Sequence, residues 1–312
     1  MAYTNIDDPS AHFQTATYTG NGGTLAVVND GNSDLQPDWV WCKRRDVGAN
    51  HVVYDSTRGA SKVLYPNLTE AEETVSGVTA FNTDGFTLGA DGNANASSGS
   101  QVAWQWKANG GTTSSLSNTG PDSVVQVNSD AKFVIGTYTG NGSNSNVKHG
   151  LGETPDMLIV KRRTGGTGSW AVWHKDLTSA YWLRLDTTVA QASGVWDGTD
   201  PNSEKFFITG GSSNVNISGS DYVFYVWKGV KGYSKFGKYV GNGNSNGPFV
   251  YTGFKPAFVM VKAKDSAKNW DISTGAVSPN NQIDERLRAN LSDAEESSGY
   301  IDFLSNGFKM RN

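Results

Sequence analysis

A Tyr-x-Gly-Asn-Gly block recurs three times in this chain, at Tyr18 to Gly22, Tyr138 to Gly142 and Tyr239 to Gly243. A proline-led apolar run follows each one: PDWVWCKRR from Pro37, PDMLIVKRR from Pro155 and PAFVMVKAK from Pro256. Repetition at a period of about 100 residues means three copies of one module, packed together or strung as beads, rather than one large catalytic domain. It also supplies an internal control, because a residue essential to a module's chemistry should reappear in the sister copies.

The repeat sets the boundaries. Residues 1–12 read as an extended N-terminal arm, 13–109 as the first module, 110–132 as a flexible linker rich in Gly, Ser and Thr, and 133–234 as the second module. Residues 235–312 read as an incomplete third. Each of the first two closes with an alternating run, QVAWQWK ending at Lys107 and DYVFYVWK ending at Lys228, and no such run follows Phe308. The expectation is that a longer polypeptide, or another chain, supplies the missing strand.

Short runs of β-branched and aromatic residues between Asn-Gly turns predict an all-β chain of tandem jelly-roll-like antiparallel sandwiches. The Trp39 to Arg45 run alternates only at its end, which predicts a strand buried on both faces or a central sandwich strand with its cationic end in solvent. The segment NLTEAEE from Asn67, echoed by NLSDAEE from Asn290, predicts a short helical turn with Asn67 or Thr69 at its cap. The basic ends Lys43 to Arg45 and Lys161 to Arg163 predict strands emerging into solvent beside carboxylates, with an anionic-glycan or subunit contact as the alternative.

Composition excludes several function classes. With 26 Lys+Arg against 30 Asp+Glu there is no basic stripe for nucleic acid. A single cysteine, Cys42, permits no internal disulfide and no cysteine zinc site, and its place in an apolar run predicts a buried small hydrophobe. No apolar run reaches membrane-span length, so no membrane partner is expected. No secretory leader pattern is visible at the N-terminus.

Candidate chemistry is sparse. His51 lies near Asp55 and Ser56 like a loose triad, but the aligned positions hold Trp170 and Trp270, which marks a packing position. His174 aligns with Asp55 rather than with His51, and His12 and His149, in the arm and in a loop, have no paired ligand at metal spacing. Asp55, Glu70, Glu72, Asp84, Glu204 and Asp221 form no evident glycosidase pair. The Gly-Asn-Gly turns lack the context of a phosphate loop. The oxygen-rich loop Asp91 to Asn95 reads as a solvated turn, with calcium binding as the alternative. No metal, no cofactor and no enzymatic activity are therefore expected. Tyr181, Trp182 and Trp196 are the candidates for stacking on sugar rings.

Several segments resemble a known family: Ile6 to Thr15, Leu35 to Trp41, Tyr54 to Gly59, Asn82 to Gly89, Val102 to Gly111 and His149 to Asp156. The chain is similar, in order and over essentially its whole length, to virion structural and tail-fibre proteins of marine bacteriophages with lectin-like modules of the concanavalin A and laminin G type. The resemblance implies a protein made in the bacterial host cytoplasm and carried in the virion. There it would be the particle-proximal part of a homotrimeric tail fibre. Its implied partners are phage tail or capsid proteins and a host-surface glycan. Alternatives are a capsid decoration or head-fibre protein and a polysaccharide depolymerase.

Overall fold

The computed structural model describes residues 4–311 and is all-β, apart from a single 3₁₀ turn at Pro9–Ala11. In the first module the opening strand (Phe13–Thr19), closing strand (Ser100–Trp106), core strand (Trp39–Arg44) and flanking strand (Val52–Asp55) pair antiparallel in that spatial order. The second module repeats the order with Phe133–Thr139, Asp221–Trp227, Met157–Arg162 and Ala171–His174. A small sheet closes each sandwich: Leu25–Val27, Phe86–Leu88 and Val78–Phe81 in the first, Ser145–Lys148 with Lys205–Ile208 in the second.

The doubly apolar core strands now have a cause. Val40 and Cys42 point into the first module's own core, and Leu158 and Val160 into the second's. Their alternate neighbours Trp39, Trp41, Met157 and Ile159 face the other way, into one central core that all three modules share with Trp104, Tyr225, Trp270 and Ile272. Trp39 lies 4.9 Å from Tyr225 and 5.4 Å from Trp227, ring centre to ring centre, so aromatic packing continues across the junction. Cys42 is fully buried, and burial pushes its thiol up to about 12.

The third module is built differently. Among the described residues its core strand (Phe258–Lys262) pairs only with Trp270–Thr274 and is the last strand of a six-stranded sheet. The sheet runs on through Ile283–Arg288 to the hairpin Glu296–Leu304 and Gly307–Met310, ending at Phe249–Tyr251. Its own core is small, with Ile283, Ile301, Phe303, Phe308 and Met310 at the centre.

Three expectations are corrected. Residues 110–132 are not merely a linker, since Ser114–Leu116 and Ser123–Asn128 extend the second module's main sheet. Gly111 N–H donates to Asp38 and to Gln126, which fastens the entry to that extension. Residues 67–73 form no helical turn; the segment is extended into a two-residue strand, Glu73–Thr74. The arm is not simply extended, since Asp8 caps the 3₁₀ turn and also accepts from Ser33 Oγ, with Ile6 buried; its first three residues lie outside the described ones.

The Gly-Asn-Gly turns carry their glycines at positive φ, 71° at Gly22 and 76° at Gly142, where a side chain would be strained. Each is clamped by one buried asparagine. Asn95 accepts from Asn21 N–H and donates to Gly23 O, and Asn216 does the same for Asn141 and Ser143. The loop Asp91 to Asn95 is a turn, as its composition predicts, with Gly92 exposed, and only its last residue, Asn95, is the buried clamp.

Candidate functional site

The chemistry-bearing residues converge on the junctions between modules, and each junction has the same parts. On one side stand the end of a core strand and the first residue of the flanking strand or its neighbour. On the other stands the extended loop of the next module.

At the junction of modules two and one, Trp170 Nε1 donates to Tyr65 O at 2.8 Å and Lys161 Nζ donates to Thr69 O at 2.8 Å. At that of modules three and two, Trp270 Nε1 donates to Arg184 O at 2.8 Å and Lys262 Nζ to Thr188 O at 3.2 Å. At that of modules one and three, His51 Nε2 meets Arg288 O at 3.0 Å and Lys43 Nζ reaches Ser292 O at 3.4 Å. Trp41 Nε1 donates to His51 Nδ1, so Nδ1 is the acceptor and Nε2 carries the proton that Arg288 O receives. The paired contacts run in one sense, from the second sequence repeat to the first, from the third to the second and from the first to the third.

Carboxylates complete two junctions. Glu72 pairs with Arg163 at 2.9 Å, and the corresponding Glu295 pairs with Arg45 at 2.8 Å. Main-chain bonds run alongside, Glu72 N–H to Arg163 O and Glu295 N–H to Arg45 O. At the third junction Gln191 N–H donates to Lys264 O, and its side chain donates to Asp265. This is why the acidic segments are extended: their carboxylates and amides are spent on a neighbour rather than on a helix. The basic strand ends are thus divided: Lys43 and Lys161 are completely buried, whereas Arg44, Arg45 and Arg163 reach partial exposure and pair with Asp46, Glu295 and Glu72.

The deepest polar cluster lies between modules one and two. Arg58 is fully buried, bonded to Asp55 at 2.5 Å and to Glu72 at 3.0 Å, and donates to Val53 O. Asp55 also accepts from Tyr225 Oη of the second module at 2.7 Å. Burial opposes the charge on Arg58, yet Asp55 and Glu72 offset it and hold its pKa above the usual arginine value. Burial likewise works against Glu72, but Arg163 and Arg58 draw its pKa below the usual carboxylate range. A carboxylate so committed is an anchor, not a general base or acid.

His51 is the hinge of the triad-like pattern, and its surroundings fix it as a neutral structural group. Burial, then the nearby Lys43 charge, holds its pKa well below the ordinary histidine value. Asp55 points to Arg58, and Ser56 Oγ donates to Asp38. Burial similarly lowers His12, His149 and His174. Among the described residues no cluster of three or more His, Cys, Asp or Glu is arranged to hold a metal ion.

The buried lysines give a pH-dependent signature. Burial brings Lys161 down to about 7 and Lys43 down to about 8, from 10.5. The unfolded chain keeps these protons until near 10.5, so between those values it binds more protons than the folded chain. Stability therefore rises with pH across that interval and is lost as the pH falls through 8 and then 7. Tyrosine ionisation in the unfolded chain, near about 10, ends the usable window. Urea midpoints should rise from pH 7 to 9.5, and Lys161→Met should flatten that rise. Equal slopes in the two proteins would refute the assignment.

Of the sugar-stacking candidates, Trp182 and Trp196 are each 3% exposed and stand in the second module's core. The Arg184 guanidinium covers Trp182 at 4.6 Å, and Tyr181 is partly exposed beside it. The three rings do not make one open platform. Exposed aromatics occur instead at Phe249 (45%) and Tyr251 (54%), on the edge strand of the third module. Tyr251 borders a cleft of about 350 Å³ between modules two and three, whose wall includes Lys175, Lys231, Lys235 and Phe236. The Phe-Val-Tyr alternation after Pro248 is the signal that marks this strand, but sequence alone does not show which face lies outward.

A family profile described as Domain of unknown function (DUF7483) matches residues 8–312. No curated protein and no solved structure matches the chain. No helix among the described residues is long and apolar enough to cross a membrane.

Proposed function

The chain belongs to the DUF7483 family of domains of unknown function, and we propose that it is a structural protein of the bacteriophage virion, placed in the particle-proximal part of a tail fibre that attaches to the host. The phage assignment rests on the resemblance of its segments to marine phage tail-fibre proteins. The observation that carries the structural role is the set of paired contacts at the module junctions. The charged and aromatic groups that chemistry would need are used to lock three modules into one body, as a load-transmitting spacer requires.

The glycan contact implied by the resemblance has one surface that suits it. The cleft beside Tyr251 sets Tyr251 and Phe236 among Lys175, Lys231, Lys235 and the Asp156 carboxylate that Lys175 pairs with, a mixed polar and aromatic wall of the kind that meets sugar hydroxyls and C–H groups. The partners on the particle would be tail proteins, with three chains around the fibre axis.

Imaging intact virions by cryo-electron microscopy tests the reading. Density for this chain at the tail, in threefold sets around a fibre, is the expected result. Density spread over the capsid lattice would make it a decoration protein instead. Release of reducing sugar from host envelope polysaccharide by the purified chain would overturn the non-enzymatic role.

A further inference from the structure

The chain is acidic overall, at −4, yet its charge is unevenly placed. Between Asp221 and Asp265 it carries seven lysines and no aspartate, glutamate or arginine. Four of them, Lys228, Lys231, Lys235 and Lys238, lie in the connection between the second and third modules. The fold brings Lys231 and Lys235 to the cleft beside Tyr251, where Lys175 joins them. Among the described residues one carboxylate, Asp156, lines that cleft, and both Lys175 (3.3 Å) and Lys228 (3.5 Å) reach it. Lys235 donates instead to a neutral group, Tyr251 O at 2.6 Å. The cleft wall therefore holds more positive than negative charge.

An aromatic pair stands beside this wall. Phe249 and Tyr251 alternate on the outward face of their strand, which sets their Cα atoms about 7 Å apart. Gly307 lies opposite Tyr251 across the ladder, and a Cβ there would fall 2.8 Å from the Phe249 ring. The missing side chain lets that ring lie across the sheet face. The Lys235 ammonium sits 5.2 Å from the Tyr251 ring centre. The outward face belongs to the plan of every module. Val27, Val147 and Val250 take the same inward place, opposite Phe86, Phe206 and Phe308. Their outward neighbours are Ala26 and Val28 in the first module, both exposed, and Asn146 and Lys148 in the second. Of the three modules, the third alone puts aromatic rings there.

We infer that Phe249, Tyr251 and Lys235 form a binding site for an acidic polysaccharide, one whose sugar rings carry carboxylates. The inference rests on the glycan contact proposed above and names its class. Neighbouring sugar rings would lay their C–H faces on Phe249 and Tyr251, apolar surface against apolar surface. A carboxylate on the ring over Tyr251 then meets Lys235, and one on the ring over Phe249 meets Lys309, which stands directly opposite Phe249 in the ladder. Asp302, next across the sheet from Lys309, is spent on Arg311. The lysine excess supplies the charge complementarity that selects an acidic chain over a neutral one. The rings select a sugar over a bare polyanion.

The test runs the full chain through native gels that each contain one polymer: polygalacturonate, alginate, dextran, dextran sulfate or single-stranded DNA. Retardation by at least one of the two polyuronates should be at least ~10-fold stronger than by dextran. It should weaken but persist at high salt, where charge attraction is screened and ring contact is not. Phe249→Ala with Tyr251→Ala should weaken it at least ~10-fold, and Lys235→Gln about 3-fold with a shallower salt dependence. All three side chains are exposed, so an unchanged Tm shows that the variants keep the fold. Equal retardation by dextran and the polyuronates, lost with the two rings, would keep the glycan contact and overturn the acidic class. No retardation by any of the polymers would overturn both. Undiminished retardation of the double variant by the polyuronates would overturn the site, as would retention by dextran sulfate or DNA as strong as theirs, since charge alone would then explain it.

Discussion

Arg58→Met should destabilise the chain by about 3–5 kcal/mol, the usual cost of stripping one partner from a buried ion pair. The guanidinium is wholly buried and serves Asp55, Glu72 and Val53 O together. Methionine matches much of its length but leaves the Asp55 carboxylate with Tyr225 Oη and the Arg58 amide as its remaining donors. Glu72 keeps Arg163, so its loss is partial. The damage should therefore spread across the junction rather than stay within the first module. Urea unfolding followed by tryptophan fluorescence measures the loss. Adding Asp55→Asn to Arg58→Met should recover part of it, because the orphaned charge is then removed. A loss below about 1 kcal/mol for Arg58→Met would show that the cluster is solvated and contributes little.

That cluster also shows where sequence stops being readable. The strands were legible wherever a module's own pattern decides them: the hairpin from Phe81 to Phe86, the core strands, the alternating closing strands, and the burial of Cys42. The packing role of the His51 position was legible as well, because Trp170 and Trp270 occupy its counterparts. What could not be read was anything whose partner lies in another module. Glu70 and Glu72 look like helix-forming acids after a capping asparagine. Asn67 instead accepts from His51 N–H, and Glu72 reaches Arg163 of the second module. Lys43 and Lys161 look like solvated strand ends until the neighbouring loop is laid over them. The residues 110–132 have linker composition, yet a waiting sheet edge recruits them as strands. Local propensity is a weak prior beside such contacts. The exposed pair Phe249 and Tyr251 was missed for the converse reason, since their strand lies at the free end of its sheet.

The size relation inside the junctions yields the second large effect. Trp41 packs beside His51, with ring centres 5.7 Å apart, whereas the corresponding pairs are Ile159 with Trp170 and Met260 with Trp270. Where the first residue is an indole the second is an imidazole, and where the first is aliphatic the second is an indole. His51→Trp alone should cost about 1–3 kcal/mol, because a second indole overfills the space against Trp41. Trp41→Ile alone should cost about 2–4 kcal/mol, from the cavity and from His51 Nδ1 losing its donor. The double variant should lie within about 1 kcal/mol of the natural chain, since it rebuilds the arrangement of the second module. Its new indole N–H can then serve Arg288 O as Trp170 Nε1 serves Tyr65 O. The variant should also lose the acid sensitivity that His51 imposes. A histidine whose folded pKa is depressed gives stability above its unfolded value, near about 6.5, and loses it as the pH falls toward the folded one. Denaturation midpoints for the four proteins at pH 5 and pH 7.5 decide the matter. Additive single costs would mean that the two positions do not share one space, and the correspondence among the three junctions would then be one of sequence only.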